Sequence, residues 1–221
     1  MPKQLGRRIF GSIDVDQKSA ELLCNLDAYV SVYVDELVNK FVECFKQYAE
    51  KIIQMQQLGK KEAIAFINFS ILRTNILTKK HALRIDAYDQ NWYRDRKECI
   101  GEYDISDFFK WHGKFESLLE AARKNSGGRL TLADVQALVF KESYSYLRYV
   151  TEIIRIGMKK VAKTESFQNI KRYEQFIVCV GNYQDKTQIV YRFEEALIAE
   201  EIDIDQAILI DTGNPAQLES R

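Results

Sequence analysis

Arg84, Asp86, Tyr88, Trp92, Tyr93 and Arg94 crowd guanidinium, carboxylate and aromatic side chains into eleven residues. Such groups can build a recognition surface, because aromatics and arginine dominate the binding energy of protein interfaces. They can equally pin a loop to a core, with charges paired and rings packed. Residue type alone leaves both readings open.

Seven acids, Asp86, Asp89, Asp95, Glu98, Glu102, Asp104 and Asp107, fall within 22 residues here. A divalent cation needs several oxygens converging on one point. The spacing fits no EF-hand loop, which also demands a glycine at a fixed place. Arg84, Arg94, Arg96 and Lys97 interleave with the acids. Ion pairing among neighbours is the simpler expectation, and neither a metal nor another cofactor is expected.

The chain has two histidines. His81 follows Lys79 and Lys80 at a predicted helix end, where it can cap carbonyls. His112 stands at helical spacing from Phe108, Phe109 and Phe115, the place of a satisfied core histidine. An enzyme is the alternative from a different class. His81, Asp86 and Asp89 would then be the first suspects for general acid–base or metal-assisted work. Nucleophile elbow, Walker loop, dinucleotide fingerprint, HExxH and CxxC motifs are all missing from the sequence.

A second alternative is weak binding of single-stranded nucleic acid. Lys79, Lys80, Arg84, Arg94, Arg96 and Lys97 lie near Tyr88, Trp92 and Tyr93, and aromatics can stack on unpaired bases. Asp86, Asp89 and Asp95 in the same stretch would repel phosphate. The 32 basic and 32 acidic residues cancel overall, which argues against a dominant nucleic-acid or membrane field. From Glu194 onward eight acids face one base. That segment reads as a solvated acidic tail, or as one that folds back on a basic face.

No leader pattern is visible, and no run approaches the roughly 18 apolar residues of a membrane span. Cys24, Cys44, Cys99 and Cys179 are widely spaced, which suits reduced cysteines in a cytoplasmic protein.

The elements that must position these residues are mostly helical. Two prolines and ten glycines in 221 residues favour long helices. From Asp16, apolar residues recur every three or four positions, from Leu22, Leu26 and Val30 through Leu37, Phe41, Phe45 and Tyr48 to Ile52 and Met55. Their mean step is near the natural helical period rather than a strict heptad. A break near Ser31 or Asn39 stays open. Gly59 ends this helix, and Lys60–Lys80, with Ile64, Ile67, Ile71 and Leu72, predicts a second. Residues 82–88 alternate, with Leu83, Ile85 and Ala87 inward and Arg84, Asp86 and Tyr88 outward, which predicts a strand. Gln90–Glu102 reads as a loop. Asp104 with Asp107, and Thr131 with Asp134, predict the starts of two further helices. Residues 175–193 predict a β-hairpin around the turn-rich Asn182–Thr187. A last short helix is expected over Glu194–Glu201, with fraying over 212–221.

The resulting expectation is a mainly helical α+β fold. A four-helix-type bundle with a long first helix carries a small antiparallel sheet made from strand 82–88 and hairpin 175–193. Residues 1–15 are expected to be an arm, 16–201 one domain, and 202–221 an acidic tail. The junction would bring Arg84, Asp86, Tyr88, Trp92, Tyr93 and Arg94 beside Tyr191 and Arg192. The functional expectation is an intracellular accessory module, monomeric or homodimeric, that docks another protein there.

Overall fold

The computed structural model describes residues 9–10 and 13–194. Strands β1 (Ile9–Phe10) and β2 (Ile13–Asp14) pair antiparallel and lead into helix α1 (Val15–Gln57). Then come β3 (Ile64–Ile71), the short α2 (Arg73–Leu77), β4 (Ala82–Tyr88), a 3₁₀ turn (Trp92–Arg94) and β5 (Ile100–Asp104). Helices α3 (Ser106–Lys124), α4 (Leu132–Val161) and α5 (Glu165–Gln168) follow, and β6 (Arg172–Asn182) and β7 (Thr187–Glu194) close the series. The fold is α+β and mainly helical. The expected N-terminal arm, the helix over 194–201 and the acidic tail lie largely or wholly outside the described residues.

Asp14 starts α1 by accepting from the Gln17 N–H at 3.1 Å, so one free donor of the first turn is satisfied. The apolar stripe then buries Leu22, Leu26, Leu37, Phe41, Phe45, Tyr48 and Ile52. It leaves the core between Leu26 and Leu37, where Val32 is 74% exposed and Tyr33 departs from helical geometry (φ −107°, ψ 16°). The kink thus falls where the stripe is only partly buried, through Tyr29, Val30 and Val34. Helix α4 opens with the expected capping box: the Thr131 hydroxyl accepts from the Asp134 N–H, and the Asp134 carboxylate accepts from the Thr131 N–H. It runs beside α1 in the same direction, since Ser19 meets Glu142, Tyr149 meets Asp27, and Lys160 meets Asp35. Gly157 lets the two close: a Cβ there would lie 2.2 Å from the Phe41 ring.

The sheet has five strands in the order β5-β4-β3-β6-β7. Every pairing is antiparallel except β3 with β6, which is parallel. Helices α1, α3 and α4 lie on one face, where Phe41 and Phe45 meet Phe69 from β3 and Phe167 meets Phe176 from β6. His112 belongs to this core, its Nε2–H donating to the Val139 carbonyl at 2.9 Å.

Three expectations change. The helix expected over Lys60–Lys80 is mostly β3, so a layer of three long helices stands where a four-helix bundle was expected. Ile64, Ile67 and Ile71 imitate helical spacing, but β3 is the central strand and is buried along most of its length on both faces. Burial on both faces puts apolar residues at both parities over 64–67, and alternation survives only from Ile67 to Ile71. The expected loop over Gln90–Glu102 ends in the first residues of β5, whose Gly101 receives the Tyr48 ring so closely that a Cβ would sit 2.5 Å from it. Finally, β4 does not pair with the hairpin: β3 lies between β4 and β6, which turns an expected three-stranded antiparallel sheet into a mixed one. Asp104 stands one residue before the cap position of α3, where its carboxylate accepts from the Ser106 N–H at 2.8 Å.

Candidate functional site

Alternation along β3 sends Ile67, Phe69 and Ile71 into the helical layer and Phe66, Asn68 and Ser70 to the opposite face. Register then sets Tyr88 beside Phe66, Asp86 beside Asn68 and Arg84 beside Ser70. On the other side Cys179 lies beside Asn68 and Gly181 beside Ser70. This second face carries no helix among the described residues. It is roofed by the 3₁₀ turn and by its own long side chains.

The roof is aromatic. The Trp92 ring lies 3.8 Å from that of Phe66, centroid to centroid, and Tyr93 meets Tyr88 edge-on at 5.3 Å. The Asn68 amide donates to the Tyr93 hydroxyl at 3.2 Å. Arg84 donates through Nε to both Asp86 oxygens at 2.9 and 2.8 Å, and its guanidinium lies 5.1 Å from the Tyr183 ring centroid. The Asp86 carboxylate holds Arg84 well above its ordinary pKa despite partial burial. Burial, aided by Asp86, pushes the Tyr88 phenol up, so it keeps its proton. Burial likewise raises the Cys179 thiol, against a lowering by Thr187. The face therefore offers neutral hydrogen-bonding groups and the compensated Arg84–Asp86 pair, with Arg192 near Cys179 on the hairpin side.

A second ion pair fixes the loop that bears the roof. Lys61 donates to Asp95 at 2.6 Å, and also to the Lys97 carbonyl. Asp95 further accepts from the N–H groups of Asp89 and Lys97 at 2.9 and 2.8 Å. Asp89 in turn accepts from the Asn91 N–H at 2.7 Å. Residues 89–95 thus form a small flap tied at its base, with Trp92 at its tip in the left-handed region (φ 54°). That conformation is a rarity for a bulky side chain.

Asn68 and Ser70 are each 1% exposed, yet Asn68 Oδ1 and Ser70 Oγ have no hydrogen-bond partner, and the buried Trp92 Nε1 has none either. Buried polar atoms are nearly always paired, so two on one face of β3 and a third in the flap that roofs that face call for an explanation.

Of the residues singled out in the sequence, Arg84, Asp86, Tyr88, Trp92 and Tyr93 come together here. Arg94 is exposed at the end of the turn. Tyr191 is elsewhere: it packs edge-on against Phe167, 6.0 Å away on the helical face, with β3 and β6 between its strand and β4. The suspects for acid–base chemistry do not converge. His81 stacks on Phe109 of α3 at 4.9 Å, while Asp86 is engaged on the other face. The neighbouring acids hold cations or backbone: Asp107 pairs with Lys40 and Lys110, Glu102 with Lys80, and Asp104 accepts from the Ser106 N–H. No group of three or more metal-ligating side chains occurs among the described residues. No helix there is long and apolar enough to cross a membrane.

Sequence reasoning missed Phe66, Asn68, Ser70 and Lys61. The signal was the period-two run Ile67-Asn68-Phe69-Ser70-Ile71, polar on every second residue. Comparison of the chain with protein-family models, with curated proteins and with solved structures finds no match.

Proposed function

We propose that this protein is an accessory module of the cell interior, monomeric or homodimeric, that docks another protein with the flap on the helix-free face of its sheet. One observation carries the reading: the strained, base-tied flap presents Tyr93, 37% exposed, and the exposed Arg94 beside Trp92. Aromatic and arginine side chains are the groups from which interface hot spots are built, and a tyrosine ring, with only two rotatable bonds, loses little conformational entropy when it binds. Local strain of this kind clusters at functional sites. Four free cysteines, two of them buried, agree with a reducing compartment.

The test is capture of partners from cell extract by the full chain and by a Tyr93→Ala/Arg94→Glu variant. The Tyr93 hydroxyl also accepts from Asn68 and its ring packs on Tyr88, so this variant has a lower thermal midpoint, and Arg94→Glu alone, at an exposed position, is tested beside it as the variant that keeps its midpoint. A defined partner that is retained by the parent and lost by the variant supports the reading. Equal retention by both overturns it.

A further inference from the structure

We infer that the polar layer beneath the flap is a binding site for a small, uncharged, planar ligand with an N–H beside a C=O on its ring edge, the pattern of a nucleobase. The site lies under the docking surface proposed above and does not depend on it.

The unpaired atoms define the chemistry. Trp92 Nε1 can only donate, Asn68 Oδ1 can only accept, and the Ser70 hydroxyl can do either. A complementary ligand must offer an acceptor and a donor at short separation. Asn68 and Ser70 are two residues apart on one strand, about 7 Å along it, the scale of a single ring with its substituents. The walls are π-faces, from Phe66, Trp92, Tyr88 and Tyr93. The Asn68 amide is fixed by its bond to Tyr93, so its oxygen is held ready rather than free to turn toward another donor. Arg84 and Asp86 neutralise each other at the edge of the site, which removes any reason for the ligand to be charged. A flat heterocycle answers all of these features together: it stacks on the aromatics and bonds through its edge.

There is a way in. A cleft of about 570 Å³ opens at the start of β3 and β6, and its wall includes Phe66, Gln90 and Ile177. Phe66 thus belongs both to the cleft and to the stack with Trp92. The cleft stops short of the polar layer, so entry requires Trp92 and Tyr93 to lift from Phe66, Tyr88 and Asn68 while the ties at Asp89 and Asp95 hold the base of the flap.

The chain has two tryptophans, so the uniformly ¹⁵N-labelled protein gives two indole N–H resonances. Trp111, which packs against Tyr29 in the helical layer, is the internal control. Titration with uracil is expected to move the Trp92 resonance saturably and leave that of Trp111 in place. Ser70→Ala and Asn68→Leu should each weaken uracil binding about ten-fold, the effect of losing one hydrogen bond. The Ser70→Ala variant should do so with an unchanged or higher thermal midpoint, since the hydroxyl has no partner in the free protein. Toluene, flat but without the polar edge, should bind at least about ten-fold more weakly than uracil on the same argument. A short oligouridylate tells a free base from a base on a strand: tighter binding that falls steeply with salt assigns the strand as the source of the same ring chemistry. A Trp92 resonance unmoved by uracil up to its solubility, equal affinity in both variants, or equal binding of toluene would each overturn the inference.

Discussion

The Lys61 ammonium lies 2.6 Å from the Asp95 carboxylate, and the two side chains are 1% and 3% exposed. This pair joins the entry to the central strand with the far end of the flap. Burial pushes the Asp95 carboxyl up. The Lys61 bond and the backbone N–H bonds from Asp89 and Lys97 outweigh that, and hold it below the ordinary value.

Removing one partner of such a pair leaves the other buried and unpaired. Lys61→Met is therefore expected to cost about 3–5 kcal/mol in chemical denaturation, the usual loss for a broken buried pair. Because the folded carboxyl titrates below its unfolded value of about 3.9, the stabilisation is complete above that pH and is lost as pH falls through the folded value. The Lys61→Met variant should accordingly show a shallower loss of stability between pH 5 and pH 2, by about the width of an ordinary carboxylate titration. Identical acid profiles for parent and variant would remove the pair from this role.

Gly157 shows packing overruling propensity. Within an exposed helix, glycine to alanine gains about 1 kcal/mol. Here the new methyl would meet the fully buried Phe41 ring at 2.2 Å. Overpacking of a filled core costs about 1–3 kcal/mol. The expected result for Gly157→Ala is a lower thermal midpoint, and a higher one would show that the α1–α4 contact can yield.

What could be read in advance follows from how each element is buried. Helices α1 and α4 each have one wet face, so their stripes and the Thr131–Asp134 box were plain in the residues. The hairpin β6–β7 was plain too, as an edge structure with a turn-rich centre. Strand β3 was hidden because packing on both sides erases alternation at its ends and leaves Ile64, Ile67 and Ile71 at helical spacing. The candidate site suffered for the same reason. Alternation sets Arg84, Asp86 and Tyr88 on one face, as the structure does, but the segment that supplies Phe66, Asn68 and Ser70 beside them reads as helix. Tyr191 lies away from them for two reasons: β3 and β6 separate its strand from β4, and its ring is on the helical face. Lys61 gave no signal at all, since a buried lysine is recognised only by the carboxylate that meets it.

His112 makes the lower end of the neutral range matter. Burial lowers its pKa, although the Val139 carbonyl and Glu116 favour the charged ring. Burial also lowers His81. A histidine depressed in the folded state binds its proton more readily when unfolded, so stability is full above the unfolded value of about 6.5 and falls as pH drops below it. His112→Gln can still donate to the Val139 carbonyl and carries no titrating group. Denaturation midpoints measured from pH 7.5 to 5 should decline less steeply for that variant than for the parent. Parallel curves would assign the slope elsewhere.

At Trp92 the backbone and the side chain make opposing demands. The ring packs on Phe66 and borders the proposed docking surface, while φ of 54° disfavours any residue with a Cβ. Trp92→Ala loses the ring and keeps the strain, whereas Trp92→Gly loses the ring and relieves it. Glycine should therefore be the more stable of the two variants, by about 1 kcal/mol, the reverse of their order at an ordinary position. Both should lose about 2 kcal/mol or more of affinity for a docked partner, as truncated hot spots do. The two measurements divide the roles of this residue. Stability ordered Ala above Gly would deny the left-handed turn. Partner affinity unchanged in both, alongside a shared fall in thermal midpoint, would make Trp92 a lid on the core and move the docking surface away from the flap.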